Sequence, residues 1–313
     1  MGQISTEHAY YIKLGESGKW ADSSIKENKA RIGWPEQKRS DINARKWGKI
    51  QKQIQNEKVR NGVLNRGSAT TDCNALKLFT ESTDRDVWIT FHQSHLWWCQ
   101  PAKGEVEQDS DSKYRKVKTA WSNVDVTGNE LLIERLPGVI YQLQRFQGTI
   151  CRVKEVIVLR RLINHEFSPE HDAVATSKKC LISDIERGLK GLTPKEFELL
   201  VDLVFTRSGW RRISVVGKSK EYSDFDLEDP ITHDMYSVQV KSKANEKDFK
   251  IYRDAFRGRS YRRLFFVVHT PQGKLGNVKI ADNQDDVKLM LGGDIAEKVV
   301  DLGLVDWLKD RIR

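Results

Sequence analysis

The chain has 313 residues, of which 38% are hydrophobic and 31% charged, so two ordinary domains with packed cores and a well-solvated surface are within reach. Its 53 lysines and arginines exceed 44 aspartates and glutamates, a formal net charge of +9, which favours polyanionic partners such as nucleic acid. No run approaches the roughly 18 apolar residues of a membrane span, the start MGQISTEHAYYIKLGE lacks a secretory pattern, and the four cysteines form no CxxC pair; a disulfide framework and a zinc knuckle are excluded, and a cytoplasmic protein without a membrane partner is expected.

The first half is rich in tryptophan: Trp20, Trp34, Trp47, Trp88, Trp97, Trp98 and Trp121 are seven of nine. AYYIKL (9–14), DVWITF (86–91) and HLWWCQ (95–100) read as strands, and the polar HQS between the last two reads as a hairpin turn. From Asp41 to about Arg60, apolar residues recur at helical spacing among lysines, arginines and glutamines. This Lys/Arg-rich face is a phosphate-binding candidate or a plain solvated surface. Asp72 is a candidate cap for a second helix. PAKGEVEQDSDSKYRK (101–116) reads as an exposed loop, and GTICRVKEVIVLRRL (148–162) as continued β-structure. His92, His95 and Cys99 fall at alternating positions of a hairpin, which by itself does not make a metal site. Short strands with few helices between them predict a small, strongly curved barrel or open sheet over 1–165.

Periodicity fades across 166–180, which reads as a linker, and resumes at Leu181 for a second domain over 181–313. TPKEFELLVDLVFTRSGW is an amphipathic helix with Phe197, Leu200, Val201, Val204 and Phe205 as its apolar stripe, and Thr193-Pro194 opens it. RISVVG (212–217), SDFDLEDP (223–230) and MYSVQVKSK (235–243) read as successive strands. A helix over 245–256, the buried strand RLFFVVHT (263–270) and a last helix through Ile295 to Leu308 follow.

Alternation puts Gln239 and Lys241 on one face of one strand, and Asp226 projects towards them from the neighbouring strand of a hairpin. A carboxylate with nearby oxygen ligands can hold Mg²⁺, and Mn²⁺ in its place, to polarise a scissile phosphate and activate a water. A lysine ammonium beside them stabilises the developing charge. Glu198, on the preceding helix, is a further ligand or a support for a metal-bound water. Asp224 shares the face of Asp226 and rivals it for the metal; Asp226 is placed first.

The segment FELLVDLVFTRSGW…SDFDL…SVQVKSKA resembles the core of Mrr-like restriction endonucleases, a branch of the PD-(D/E)xK superfamily. The resemblance covers about 190–270. It implies a restriction-endonuclease-like α/β core around a central mixed sheet, with Glu198, Asp226, Gln239 and Lys241 as catalytic residues and Asp226 and Gln239 as metal ligands. The stretch KSKEYSDFD departs from the family in having no glycine before the aspartate.

YYIKLGESGKWADSSIKENKARIGWPE, with DVWITFHQSHLWWC further on, is similar to the PUA-like superfamily, which includes the EVE domains. That similarity implies a β-barrel that reads a modified base flipped into an aromatic pocket. Trp20, Trp34, Trp97 and Trp98 are the candidate walls, with Asp22 or Ser23 to read a base edge; each base stacked on an aromatic ring contributes about 1–3 kcal/mol. Trp97 and Trp98 are adjacent on one strand and must face opposite ways.

The combined expectation is an α+β protein: a modification-dependent, type IV-like DNA endonuclease using Mg²⁺, acting on double-stranded DNA as a homodimer. No GxxxxGK[ST] loop occurs, which argues against a translocase in this chain. The alternative is a non-catalytic DNA- or RNA-binding protein with a decayed nuclease fold.

Overall fold

The computed structural model describes residues 2–62, 66–213, 223–277 and 286–313. The chain divides into two compact units, 1–168 and 169–313.

In the first unit, β1 (Ala9–Ile12), α1 (Ala21–Lys26), β2 (Lys29–Ile32), α2 (Arg39–Asn43), α3 (Trp47–Arg60) and α4 (Arg66–Glu81) lead to the hairpin β3 (Val87–His92) and β4 (His95–Cys99). Then come β5 (Glu107–Gln108), β6 (Lys113–Lys116), the short α5 (Gly138–Tyr141), β7 (Ile150–Arg152) and α6 (Val156–Asn164). Among the described residues, the strands form two open sheets, β4-β3-β1-β7 and β2-β6-β5. The expected closed PUA-like barrel is therefore not what these strands make. β1 runs parallel to β3 and antiparallel to β7, and α3 and α4 pack on the sheet through Ile50, Ile54, Ala69, Leu76 and Phe79.

Three local readings change. The segment 148–162 is strand only to Arg152; Leu159 and Ile163, four apart, then bury the inner side of a helix, which continuous apolar residues alone do not distinguish from a strand. The supposed loop 101–116 contains β5 and β6. Arg31 and Arg115 from β2 and β6 are buried and engaged there: Arg31 meets Asp109 and Ser112, and Arg115 meets the carbonyls of Phe79, Ser82 and Ala102. Asp72 lies inside α4, paired with Lys58 at 2.8 Å, and caps nothing.

The second unit opens with α7 (Pro169–Leu189), so most of the supposed linker 166–180 is helix. Next is α8 (Pro194–Arg207), started by a capping box in which Thr193 and Glu196 satisfy each other's backbone amides. Five strands, β8 (Arg211–Arg212), β9 (Phe225–Glu228), β10 (Met235–Ala244), β11 (Arg263–Pro271) and β12 (Val287–Leu291), form one mixed sheet in the order β12-β11-β10-β9-β8. The predicted strand 212–217 is described only to Ile213. α9 (Glu246–Phe256) crosses from β10 to its parallel neighbour β11, and α10 (Gly292–Asp301) and α11 (Val305–Arg311) close the unit. One face of the sheet, with Phe225, Leu227, Val238, Val240 and Val267, packs on α7, α8 and α10. The other carries Leu264, Phe266 and Val268 against Phe249 and Phe256 of α9. The unit is thus an α/β layered core around a mixed sheet. No described helix is long and apolar enough to cross a membrane.

Candidate functional site

β9 and β10 are antiparallel, with Asp226 opposite Ser237 and Phe225 opposite Val238. Extending this register by one step brings Asp224 level with Gln239, and the Asp224 amide donates to the Val238 carbonyl at 2.9 Å. The Gln239 Nε2 donates to Asp224 Oδ2 at 2.5 Å, and the Val240 amide donates to the same oxygen at 2.6 Å. The carboxylate that the structure brings to Gln239 is therefore that of Asp224. Asp226, placed first from the sequence, is buried two residues further along; its Oδ1 accepts from Ser223 Oγ at 3.1 Å. Alternation put both aspartates on one face, but the strand offset, which decides between them, is not written in the sequence.

Burial pushes the Asp224 carboxyl above its usual range; the Val240 amide pulls it back, the negative charge of Glu198 raises it again, and the Lys241 and Lys195 ammonium groups lower it. Glu198, in the first turns of α8, is thus close enough to bear on Asp224. Lys195 Nζ meets both Glu198 oxygens at 2.9 Å. Lys241 follows Gln239 on the same face, with its Nζ 5.1 Å from the centroid of the Tyr252 ring on α9. Asp224 and Gln239 are thus in contact, Lys241 is next along the same strand face, and the charges of Glu198 and Lys241 reach the Asp224 carboxyl.

Their chemistry fits a divalent cation. Lys195 offsets the charge of Glu198, so Asp224 is the carboxylate that could face a cation, and with Gln239 Nε2 engaged, the Gln239 Oε1 could serve as a second oxygen ligand. Among the described residues no group of three His, Cys, Asp or Glu side chains is placed to hold a metal. His92 instead meets Asp22 at 2.9 Å and Cys99 is buried.

In the first unit, a cavity of about 270 Å³ is lined by Lys19, Trp20, Ile32, Gly33, Pro35 and the segment 108–113. Trp20 reaches it because Gly15, at φ +87°, leaves room: a Cβ there would lie 2.8 Å from the indole. Trp34 has φ +63°, and its carbonyl accepts from the buried Lys113 ammonium at 2.6 Å, which pins the turn between Gly33 and Pro35. Burial lowers the Lys113 pKa.

Of the six base-pocket candidates, Trp20 lines this cavity and the others do not. Trp98 is 1% exposed within the core, and its indole donates to the Val124 carbonyl. Trp97 packs on the opposite side and donates to the His92 carbonyl. Trp34 packs on the core, Ser23 turns back to the Trp20 carbonyl, and Asp22 reaches out to His92. The cavity is also lined by Asp109, Ser110, Asp111 and Ser112, which the sequence analysis did not single out although QDSDSK is dense in acceptors and hydroxyls. Burial opposes the charge on Asp109, but the Ser112 amide and the Arg31 guanidinium outweigh it and hold its carboxyl below the usual range.

No family model and no curated protein matches the chain. Among solved structures, it is similar to the DNA modification-dependent restriction endonuclease AspBHI, at 13% identity over 72% of this chain and 68% of that one, with a TM-score of 0.31. It is also similar to the MspJI restriction endonuclease in complex with a 27-mer oligonucleotide, at 14% identity over 77% and 69%, with a TM-score of 0.26. Neither superposition is close enough to define a shared fold, and the chain's own geometry carries the functional reading.

Proposed function

We propose that this chain is a modification-dependent DNA endonuclease: the second unit hydrolyses a phosphodiester and the first reads a modified base. The observation that carries the reading is the Asp224–Gln239 contact on a mixed sheet of a basic protein, with Lys241 next on the same strand face and Glu198 of α8 bearing on Asp224. In this reading Asp224 takes the principal ligand role expected of Asp226, with Gln239 Oε1 beside it. Mg²⁺, or Mn²⁺ in its place, supplies Lewis-acid polarisation of the phosphate and a more acidic attacking water when bound. Asp224 orients the Gln239 amide, Glu198 holds a water at the edge of the site, and the Lys241 ammonium faces the charge developing on the phosphate. A neutral glutamine binds a cation less tightly than a carboxylate, so Asp224 and Gln239 would hold the metal more firmly with DNA bound than without it.

The base pocket in this reading is the cavity beside Trp20. Its volume admits one nucleobase, the indole offers a stacking surface, and the 108–113 segment offers acceptors and hydroxyls to a base edge. Double-stranded DNA is the partner, and cutting both strands calls for two cores, hence a homodimer on DNA.

The test is cleavage of matched unmodified, methylated and hydroxymethylated DNA with Mg²⁺, beside a Lys241→Ala control. Cutting confined to a modified substrate and absent in the control supports both halves. No cutting of any substrate with Mg²⁺ or Mn²⁺ leaves a non-catalytic nucleic-acid binder, and dependence of binding on the 2′-hydroxyl assigns it to RNA.

A further inference from the structure

Lys241 is placed by more than its strand. β10 ends at Ala244 and α9 begins at Glu246, so a single residue, Asn245, joins them. The Asn245 side chain accepts from the Lys247 and Asp248 amides, and Asp248 returns a bond to the Asn245 amide, which fixes where the helix starts. With that start fixed, Phe249, Tyr252 and Phe256 fall at helical spacing on the side facing the sheet. Phe249 and Phe256 are buried beneath the helix. Tyr252 lies between them, its ring 5.5 Å from that of Phe266. Phe266 is the β11 partner of Gln239. The Tyr252 ring is thereby held beside the strand that bears Gln239 and Lys241, with the Lys241 ammonium over it at 5.1 Å.

An aromatic face attracts a cation through its quadrupole and has no such attraction for a neutral group. The lysine side chain has four rotatable carbons and, unheld, samples many positions. The Lys241 charge also acts on the Asp224 carboxyl. A lysine drawn fully onto Asp224 neutralises a ligand oxygen instead of meeting the phosphate. The ring supplies a second attraction, from the α9 side.

We infer that Tyr252 is a positioning residue for the nuclease centre: its ring holds the Lys241 ammonium by a cation–π contact and keeps it from collapsing onto the Asp224 carboxylate. The inference rests on the nuclease reading above. The ring acts through its π face and not through its hydroxyl.

Two measurements test this in the full chain. The first reads cleavage of the modified DNA with Mg²⁺. Tyr252→Leu lowers kcat about 2- to 30-fold with DNA affinity little changed, the span that a cation–π contact supports. Tyr252→Phe, which keeps the ring, recovers most of that loss. Mono-, di- and trifluorinated phenylalanine at the same position then lower kcat stepwise, because fluorine drains the ring face while hardly altering its shape. A purely structural ring gives no such gradient; a flat series, or no recovery in Tyr252→Phe, overturns the proposal. The second reads NMR of the isotope-labelled Lys241 ε-methylene. An upfield ring-current shift in the wild type that vanishes in Tyr252→Leu is expected, and its absence in the wild type overturns the proposal. The shift without any cleavage leaves the contact standing and sinks the nuclease reading instead.

Discussion

Gln239 and Asp224 are tied together across β9 and β10: one aspartate oxygen accepts from the glutamine amide at 2.5 Å and from the next backbone amide, that of Val240, at 2.6 Å. This double attachment fixes the carboxylate at the point where Glu198 and Lys241 also bear on it. Asp226, on the same face, sits deeper and is engaged by Ser223.

The two aspartates should therefore separate by mutation. Asp224→Asn should lower cleavage by about two orders of magnitude or more, the usual cost of losing one electrostatic contributor at the reacting centre. Asp226→Asn should instead act on folding, costing about 1–3 kcal/mol for a disturbed buried polar group. Cleavage rates and urea midpoints of both variants decide it. A large loss of cleavage in Asp226→Asn at wild-type stability would return the metal to Asp226.

The raised Asp224 carboxyl also predicts a pH dependence. Its folded pKa lies above the ordinary value of 3.8. Its contribution to stability is thus fully present below that value and lost as pH rises through the raised folded pKa, because the folded state then holds a repelled charge. In metal-free protein, Asp224→Asn should melt higher than wild type at neutral pH, and the two should converge towards pH 4 and below. Adding Mg²⁺ or Mn²⁺ should raise the wild-type melting temperature at neutral pH and leave the variant nearly unmoved. Parallel melting curves across the range would remove Asp224 as the strained carboxylate.

Much of the second unit was legible because periodicity and burial agree there. The stripe Phe197, Leu200, Val201, Val204 and Phe205 is buried, and the alternation around Gln239 places the Val238 and Val240 side chains in one core and Gln239 on the other face. What the sequence leaves open depends on partners distant in sequence. Alternation does not choose between Asp224 and Asp226, since register is set by pairing. A polar segment such as QDSDSK reads as loop until Arg31, from β2, is seen to bond Asp109 and Ser112. Tryptophan count did not locate the cavity either, because a tryptophan in a small unit is more often core than wall.

The cap of α8 should matter more than its exposure implies, because this helix carries Glu198 to the site. The Thr193 side chain accepts from the Glu196 amide, and Glu196 Oε2 accepts from the Thr193 amide at 2.9 Å. Thr193→Ala should cost about 1 kcal/mol of stability. It should also reduce cleavage more than the stability loss explains, through fraying of the turn that bears Lys195 and Glu198. Urea titration alongside kcat checks both; a loss in stability with full activity would show that Glu198 is not held by its cap.

Trp20 and Trp98 are chemically identical and should behave in opposite ways. Trp98 is 1% exposed and spends its indole N–H on the Val124 carbonyl, so Trp98→Ala should remove about 3–5 kcal/mol of stability and disturb the whole first unit. Trp20 is half-buried at the wall of the cavity, its ring covered from outside by the Lys19 ammonium 4.6 Å from its centroid. Trp20→Ala should cost little in folding. It should lose about 1–3 kcal/mol of preference for modified over unmodified DNA if the indole stacks on a base, while Lys241-dependent cutting of whatever DNA remains bound persists. Urea midpoints and binding to the matched DNA series separate the cases. An unchanged preference in Trp20→Ala would move the base pocket away from this cavity, and the acceptors at 108–113 would lose their assigned role with it.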